Sequence, residues 1–165
     1  MHQHFCKMNF EYVIAAVEGF PTLNGGFILR ELTLIFPNGQ KQHFQFKNPE
    51  TMCLDRDEME TAKFCQRYLN GFSPDHNETC CLPAAVYPRI LEEIEHCRIY
   101  CAGETARFFF ARHLPNSHIV DVYSLFDFRY PTEFSNPNCF KHHRYRYCTL
   151  AKARFLAQRL EGFRL

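Results

Sequence analysis

Hydrophobic positions change their period partway along the chain. Residues 12–17 form a short apolar run, residues 27–36 form a longer one rich in Phe, Ile and Leu, and residues 43–46 alternate apolar with polar. Runs this short, and a period of two, predict strands. Pro21, Asn24, Gly25 and Gly26 supply turn chemistry between the first two, and Pro37, Asn38 and Gly39 make a tight hairpin turn between the second and third. Asn48-Pro49 ends the third. Three consecutive strands joined by short turns predict an antiparallel meander.

Beyond residue 50 the period lengthens. Met59, Ala62, Phe64, Cys65 and Leu69 predict a helix over 57–69, closed by Asn70-Gly71. Residues 72–81 read as a polar loop. Val86, Ile90 and Ile94 share one stripe of a second helix, opened by Leu82-Pro83 and running to about residue 96, with Pro88 near its start where a missing N–H is tolerated. Short strands at 98–101 and 118–121 bracket a third helix from Glu104 to about Leu114. A loop rich in Pro and Asn over 128–138 leads to a last helix at about 145–160, with Cys148, Leu150, Ala151 and Phe155 turned inward. The order βββααβαβα predicts one α/β domain over residues 1–165, with residues 1–10 a short extension. Its sheet would be mixed, an antiparallel three-strand meander followed by αβαβα crossovers, with helices on its faces. That order is the one expected of a ribonuclease-H-like fold, in the arrangement used by DEDD-type 3′–5′ exonucleases.

Composition narrows the class. The 165 residues are 46% hydrophobic and 22% charged, which excludes disorder. No apolar run approaches the ~20 residues of a membrane span, and the first ten residues lack the basic-then-apolar pattern of a secretion signal. The expectation is a protein neither secreted nor anchored in a membrane, acting in the cytoplasm, the nucleus or both. There the nine cysteines are reduced thiols, some of them on a metal. Net charge is only +1, but it is unevenly spread. Residues 1–106 carry nine basic and fourteen acidic side chains, whereas residues 107–165 carry ten and four. From Cys139 to Leu160 there are six Lys or Arg and no carboxylate. A polyanion would meet this end first, with Lys141, Arg144, Arg146, Lys152 and Arg154 on phosphates and Tyr145 stacked on a base. The competing explanation is a solvated basic helix face that balances an acidic surface elsewhere.

The carboxylates expected of a DEDD nuclease are mostly missing. The first strand carries Ala16-Val17-Glu18 in place of Asp-x-Glu, no Asp stands near Ala106 or Arg107, and the last helix offers Cys148 where an Asp ligand is required. One carboxylate of four cannot hold two magnesium ions. Instead, Cys139-x2-His142-x5-Cys148 supplies two thiolates and one imidazole, with His143 a rival to His142. Glu18, lying against the last helix in this fold, completes a tetrahedral set too soft for magnesium and suited to one structural zinc ion. The competing explanation is that Cys148 is a small buried hydrophobe and Cys139 a loop thiol. Cys97 and Cys101 straddle a strand and read as buried thiols. No Gly-x-Ser-x-Gly elbow, Walker loop or dinucleotide fingerprint occurs.

On these residues the chain resembles the Maelstrom domain family of the animal piRNA pathway, as a divergent stand-alone relative. The likeness runs from about Glu11 to Leu160 and includes Arg98-Ile99-Tyr100-Cys101 leading to Glu104, and Cys148-Thr149-Leu150-Ala151 opening the last helix. It implies a zinc-stabilised, catalytically degenerate nuclease fold that binds single-stranded RNA, cuts it weakly at most, and works with the proteins of small-RNA silencing. It also implies Glu18, Cys139, His142 and Cys148 as zinc ligands. Two other functions fit the same residues: a protein-interaction adaptor on a retired exonuclease scaffold, and an atypical divalent-metal-dependent nuclease.

Overall fold

The computed structural model describes residues 10–77, 81–125 and 148–162. Three strands open it: β1 (Tyr12–Pro21), β2 (Phe27–Ile35) and β3 (Lys41–Gln45). They are followed by α1 (Arg56–Cys65), α2 (Tyr87–Glu92), β4 (Arg98–Cys101), α3 (Glu104–His113), β5 (His118–Asp121) and α4 (Thr149–Glu161). The sheet order is β3-β2-β1-β4-β5. β1, β2 and β3 pair antiparallel, while β4 and β5 run parallel to β1. This is a mixed α/β architecture, a five-stranded sheet flanked by four helices, compatible with the ribonuclease-H-like fold that the element order predicts.

Two helices differ from expectation. The first is α-helical only to Cys65 and ends in one π-helical turn over Gln66–Asn70, closed by Gly71 N–H bonding to Gln66 O at 3.1 Å. The wider turn lets the buried Asn70 donate from Nδ2 to Gly19 O at 3.1 Å and accept from Phe72 N–H at 3.0 Å. The second starts as a 3-10 turn over Ala84–Val86, since Pro88 cannot donate back to Ala84 O as a continuous α-helix would require, and its α-helical part is only Tyr87–Glu92. On α4 the deepest apolar positions are Ala153, Leu156 and Leu160, with Phe155 on the flank of the buried stripe. Residues 145–147 of the expected last helix lie outside the described residues.

Strand alternation sorts the core into two layers. Val13, Ala15 and Val17 of β1 join Leu32 and Leu34 of β2 and Ile99 and Cys101 of β4 against α2 and α3, where Leu91, Phe109 and Phe110 are buried. Ile14, Ala16, Ile35 and Tyr100 face the other way and meet Ala153, Leu156 and Leu160 of α4. A third cluster, Phe20, Ala62, Cys65 and Phe72, seats α1 at the far end of β1. Cys97 and Cys101 are buried in the first layer, with Cys97 Sγ 3.2 Å from Phe10 O and Cys101 Sγ 3.8 Å from Val120 O. Burial, reinforced by the Asp121 carboxylate, pushes the Cys101 thiol up to about 12, so it stays protonated at neutral pH. These two are the buried thiols that their placement across a strand predicts.

The β1–β2 ladder slips once. Glu18 faces Glu31, but Gly19 faces Leu29, leaving Arg30 as the extra residue of a β-bulge. The backbones come so close there that a Cβ on Gly19 would sit 1.9 Å from Ile28 O. The bulge directs the fully buried Arg30 away from the ladder. Its Nε donates to Phe46 O at 2.7 Å, and its second nitrogen donates to Ser73 O at 2.7 Å and Asn48 Oδ1 at 2.8 Å. The guanidinium lies 4.9 Å from the Phe72 ring centroid. Gly19→Ala collides with backbone that cannot move without breaking the bulge. It is expected to lower the free energy of unfolding by about 2 kcal/mol or more in urea titrations.

Candidate functional site: a polar cluster beneath the last helix

The sheet face under α4 is apolar at one end and polar at the other. Ile14, Ala16 and Ile35 lie at the apolar end. Continuing along the same face, β1 presents Glu18, β2 presents Thr33 and Glu31, and β3 presents His43 and Gln45, paired across the ladders as Glu18–Glu31, Thr33–His43 and Glu31–Gln45. The amino end of α4 rests on this polar half.

Glu31 is the centre of the cluster and is completely buried. One carboxylate oxygen accepts from Thr149 N–H at 2.7 Å and from the Thr149 hydroxyl at 2.6 Å, and the other accepts from Gln45 Nε2 at 3.0 Å. Cys148, the N-cap of α4, provides no side-chain cap. Glu31 therefore does the capping from another strand, where a negative charge also suits the positive end of the helix dipole. Thr33 Oγ1 is 2.8 Å from Thr149 Oγ1 and 2.7 Å from His43 Nδ1. Proton counting fixes the direction of this chain. The Thr149 proton goes to Glu31, so Thr33 must donate to Thr149, and His43 must donate to Thr33 from Nδ1–H. His43 Nε2 then lies 3.9 Å from the second Glu31 oxygen.

Glu18 faces α4, as expected of this fold, and what it meets there is Lys152. Its Oε1 pairs with the Lys152 ammonium, with both side chains largely buried. Lys152 lies one turn after Cys148, and its backbone N–H bonds to Cys148 O at 3.0 Å. Cys65 of α1 completes the surroundings. Burial, and secondarily the Glu18 charge, hold its thiol above the ordinary value.

Of the four residues expected to hold zinc, Glu18 and Cys148 are described, and Cys139 and His142 lie outside the described residues. Cys148 is 2% exposed at the start of α4, and the second Glu18 oxygen, Oε2, makes no hydrogen bond among the described residues. A thiol and a carboxylate oxygen at the amino end of α4 are donors that suit zinc. Among the described residues, no three His, Cys, Asp or Glu form a metal cluster. Of the residues expected to meet RNA, Lys141, Arg144, Tyr145 and Arg146 are outside the described residues. Lys152 is turned inward onto Glu18. Arg154 is half-buried, and its Nε is enclosed without a partner among the described residues.

Sequence reasoning found Glu18 and missed Glu31, Thr33, His43 and Gln45. The signal was present: Arg30-Glu31 interrupts an otherwise apolar strand, and charges in such a strand are either at an edge or buried with partners. No family model matches this chain, and no curated protein matches it either.

A double-mutant cycle on Glu18→Gln and Lys152→Met tests the pair. Each single change leaves a largely buried charge without its partner and is expected to cost about 3 kcal/mol, while the double variant recovers most of that loss. Additive losses in chemical denaturation would show that the two side chains act independently.

Proposed function

We propose that this chain is an RNA-binding module on a ribonuclease-H-like scaffold, held together by one zinc ion and without two-metal hydrolysis. It would act in the cytoplasm or nucleus, with small-RNA silencing of the Maelstrom type as its setting and proteins of that process as partners. The observation that carries the loss of hydrolysis is the use to which both carboxylates beneath α4 are put. Glu18 pairs with Lys152, and Glu31 is closed off by Thr149 and Gln45. A nuclease site presents such oxygens to divalent ions and water. Here they hold a helix to a sheet. RNA binding is supported by the run from Cys139 to Leu160, with six basic residues and no acid. Since Lys152 is spent on Glu18, phosphate contact falls to Lys141, Arg144 and Arg146, together with Arg154.

In this proposal Cys139, His142 and Cys148 bind the zinc, with Glu18 Oε2 the fourth donor. The ion would lock the segment before α4 against the sheet. Among the described residues no helix is long and apolar enough to cross a membrane.

Two measurements test the proposal. Protein purified without added metal should carry one equivalent of zinc by mass spectrometry, and Cys148→Ser should lose both the metal and thermal stability. Retention of zinc in that variant removes the site as drawn. Glu18→Gln should also lower zinc content while Lys152→Met keeps it, which separates a ligand from an ion-pair partner.

Joint replacement of Lys141, Arg144 and Arg146 by Glu should weaken binding of a single-stranded RNA dodecamer by at least about tenfold. It should also flatten the slope of log K against log salt by about 2, from roughly 0.7 per phosphate contact. Binding equal to the parent's rejects this surface, and specific capture of a protein partner with no RNA affinity would favour the adaptor. Cleavage that needs Mg2+ or Mn2+ and disappears in a folded Glu18→Gln would favour the nuclease.

A further inference from the structure

On the opposite side of the sheet from the polar cluster, a cleft of about 420 Å3 opens between the β1–β2 turn and α3. That volume lies within the range of small-molecule sites, roughly 300–1,000 Å3. Its walls are made by one stripe of α3: Thr105, Phe108, Phe109, Arg112 and His113, at helical spacing i, i+3, i+4, i+7 and i+8. Phe27 and Tyr87 close the apolar side.

The rings form one connected aromatic wall. Phe109 is 5.8 Å from Phe27, 6.1 Å from Tyr87 and 4.6 Å from His113, and Tyr87 is 5.5 Å from His113, nearly perpendicular to it. Phe108 is 53% exposed, a large apolar ring left on the surface at the mouth. Arginines stand at the same place: the Arg107 guanidinium lies 4.6 Å from the Phe108 ring centroid, and Arg112 lines the cleft one turn further on. No Asp or Glu is among the described residues that line it.

The opposite rim is preformed. The turn from Thr22 to Gly26 is closed by Thr22 N–H bonding to Gly26 O at 2.9 Å, and Leu23 N–H is held by Glu58 Oε1 at 2.7 Å. Glu58 is itself fixed in the Asp55–Glu58 capping box of α1. The turn folds back tightly at Gly26, where a Cβ would sit 2.2 Å from the Thr22 hydroxyl. Hydroxyls of Thr22 and Thr105 add neutral hydrogen-bonding groups across the opening.

A preformed cleft with aromatic walls, neutral donors and acceptors, cationic side chains at its mouth and no carboxylate in its described lining is complementary to a planar base joined to an anion. We propose that it binds a nucleoside 5′-monophosphate, either free or as the 5′-phosphorylated end of a single-stranded RNA. The base would stack on the exposed Phe108 ring at the mouth, facing the aromatic wall, and Arg112 would take the phosphate. Burial and the adjacent Arg112 hold the His113 imidazole below its ordinary value, so it faces the base neutral. Burial likewise keeps the Tyr87 phenol protonated. The site shares no residue with the carboxyl-terminal surface and stands whether or not that surface binds RNA.

Calorimetric titration of the whole chain tests it, with AMP, adenosine and inorganic phosphate as probes. AMP should bind at least about tenfold more tightly than adenosine or phosphate. Arg112→Gln should weaken AMP about tenfold and leave adenosine unchanged, and Phe108→Ala should weaken both by about tenfold, the scale of one lost stacking contact. Both side chains are exposed, so unfolding midpoints should match the parent's. In the parent, AMP should shift the aromatic proton resonances of Tyr87 and Phe109. A tetranucleotide with a 5′-phosphate that binds as tightly as AMP or tighter identifies an RNA end, and tenfold weaker binding identifies a free nucleotide. The site is rejected if neither AMP nor the phosphorylated tetranucleotide binds. It is also rejected if the phosphorylated tetranucleotide binds as tightly as AMP yet no more tightly than its 5′-hydroxyl counterpart, if both variants bind like the parent, or if the shifts fall elsewhere.

Discussion

The attachment of α4 depends on the buried carboxylate of Glu31. Placing a charge at a position with no solvent exposure costs several kcal/mol unless donors replace water. Here the donors come from the two elements that must be joined, Thr149 on α4 and Gln45 on β3. The apolar contacts of Ala153, Leu156 and Leu160 favour a helix on this face, but they would tolerate a slide along it. The bond from Thr149 N–H to Glu31 does not. It sets the axial position of the helix, and Lys152 then arrives over Glu18 one turn later. Position is thus specified by polar contacts and adhesion by apolar ones.

Arg30 plays the complementary part on the neighbouring residue. The bulge at Gly19 turns two consecutive charges of one strand to different partners, Glu31 to α4 and Arg30 to the segment between β3 and α2. Because Arg30 binds the carbonyl oxygens of Phe46 and Ser73 and lies against Phe72, it fixes the loop that follows α1. That loop reaches Gly19 itself through Phe72, Asn70 and the π-helical turn. The bulge, the glycine and the widened helical turn are therefore one device, and each would be strained or unsatisfied without the others.

The sequence carries the fold better than the site. Strand positions were legible because the runs at 12–17 and 27–36 are unmistakably apolar, and the order of elements restricts the sheet to few topologies. The end of α1 was not legible. Its apolar spacing through Leu69 suits a regular helix, and only the tertiary bond of Asn70 to Gly19 O selects the wider turn. In the polar cluster, Glu18 was legible because it stands at the end of an apolar strand run. Glu31, Thr33 and His43 were not, because each belongs to a strand whose partner helix begins more than a hundred residues later. Spacing along the chain carries no trace of a contact that the topology makes. The aromatic cleft beside α3 was hidden for a related reason. In the sequence Phe108, Phe109 and His113 are part of one helix, and only the placed α2 and β2 side chains reveal the room beside them.

Carboxylates crowded onto one face of a sheet repel each other unless something neutralises or encloses them. Two outcomes relieve that repulsion: a protein cation can move in, or hydrogen-bond donors can enclose the charge. Both occur on this face, at Glu18 and at Glu31, and they lie opposite each other in the ladder. Two carboxylates on facing β-sheet positions would oppose each other strongly if both were left bare. Lys152 and Thr149, three residues apart on α4, relieve them together. This makes the last helix the counterion of the sheet, with Thr149 and Lys152 meeting the polar half of the face and Ala153, Leu156 and Leu160 the apolar half. A soft zinc site built there, as proposed above, would extend the same logic by adding one permanent cation next to a helix already pinned in place.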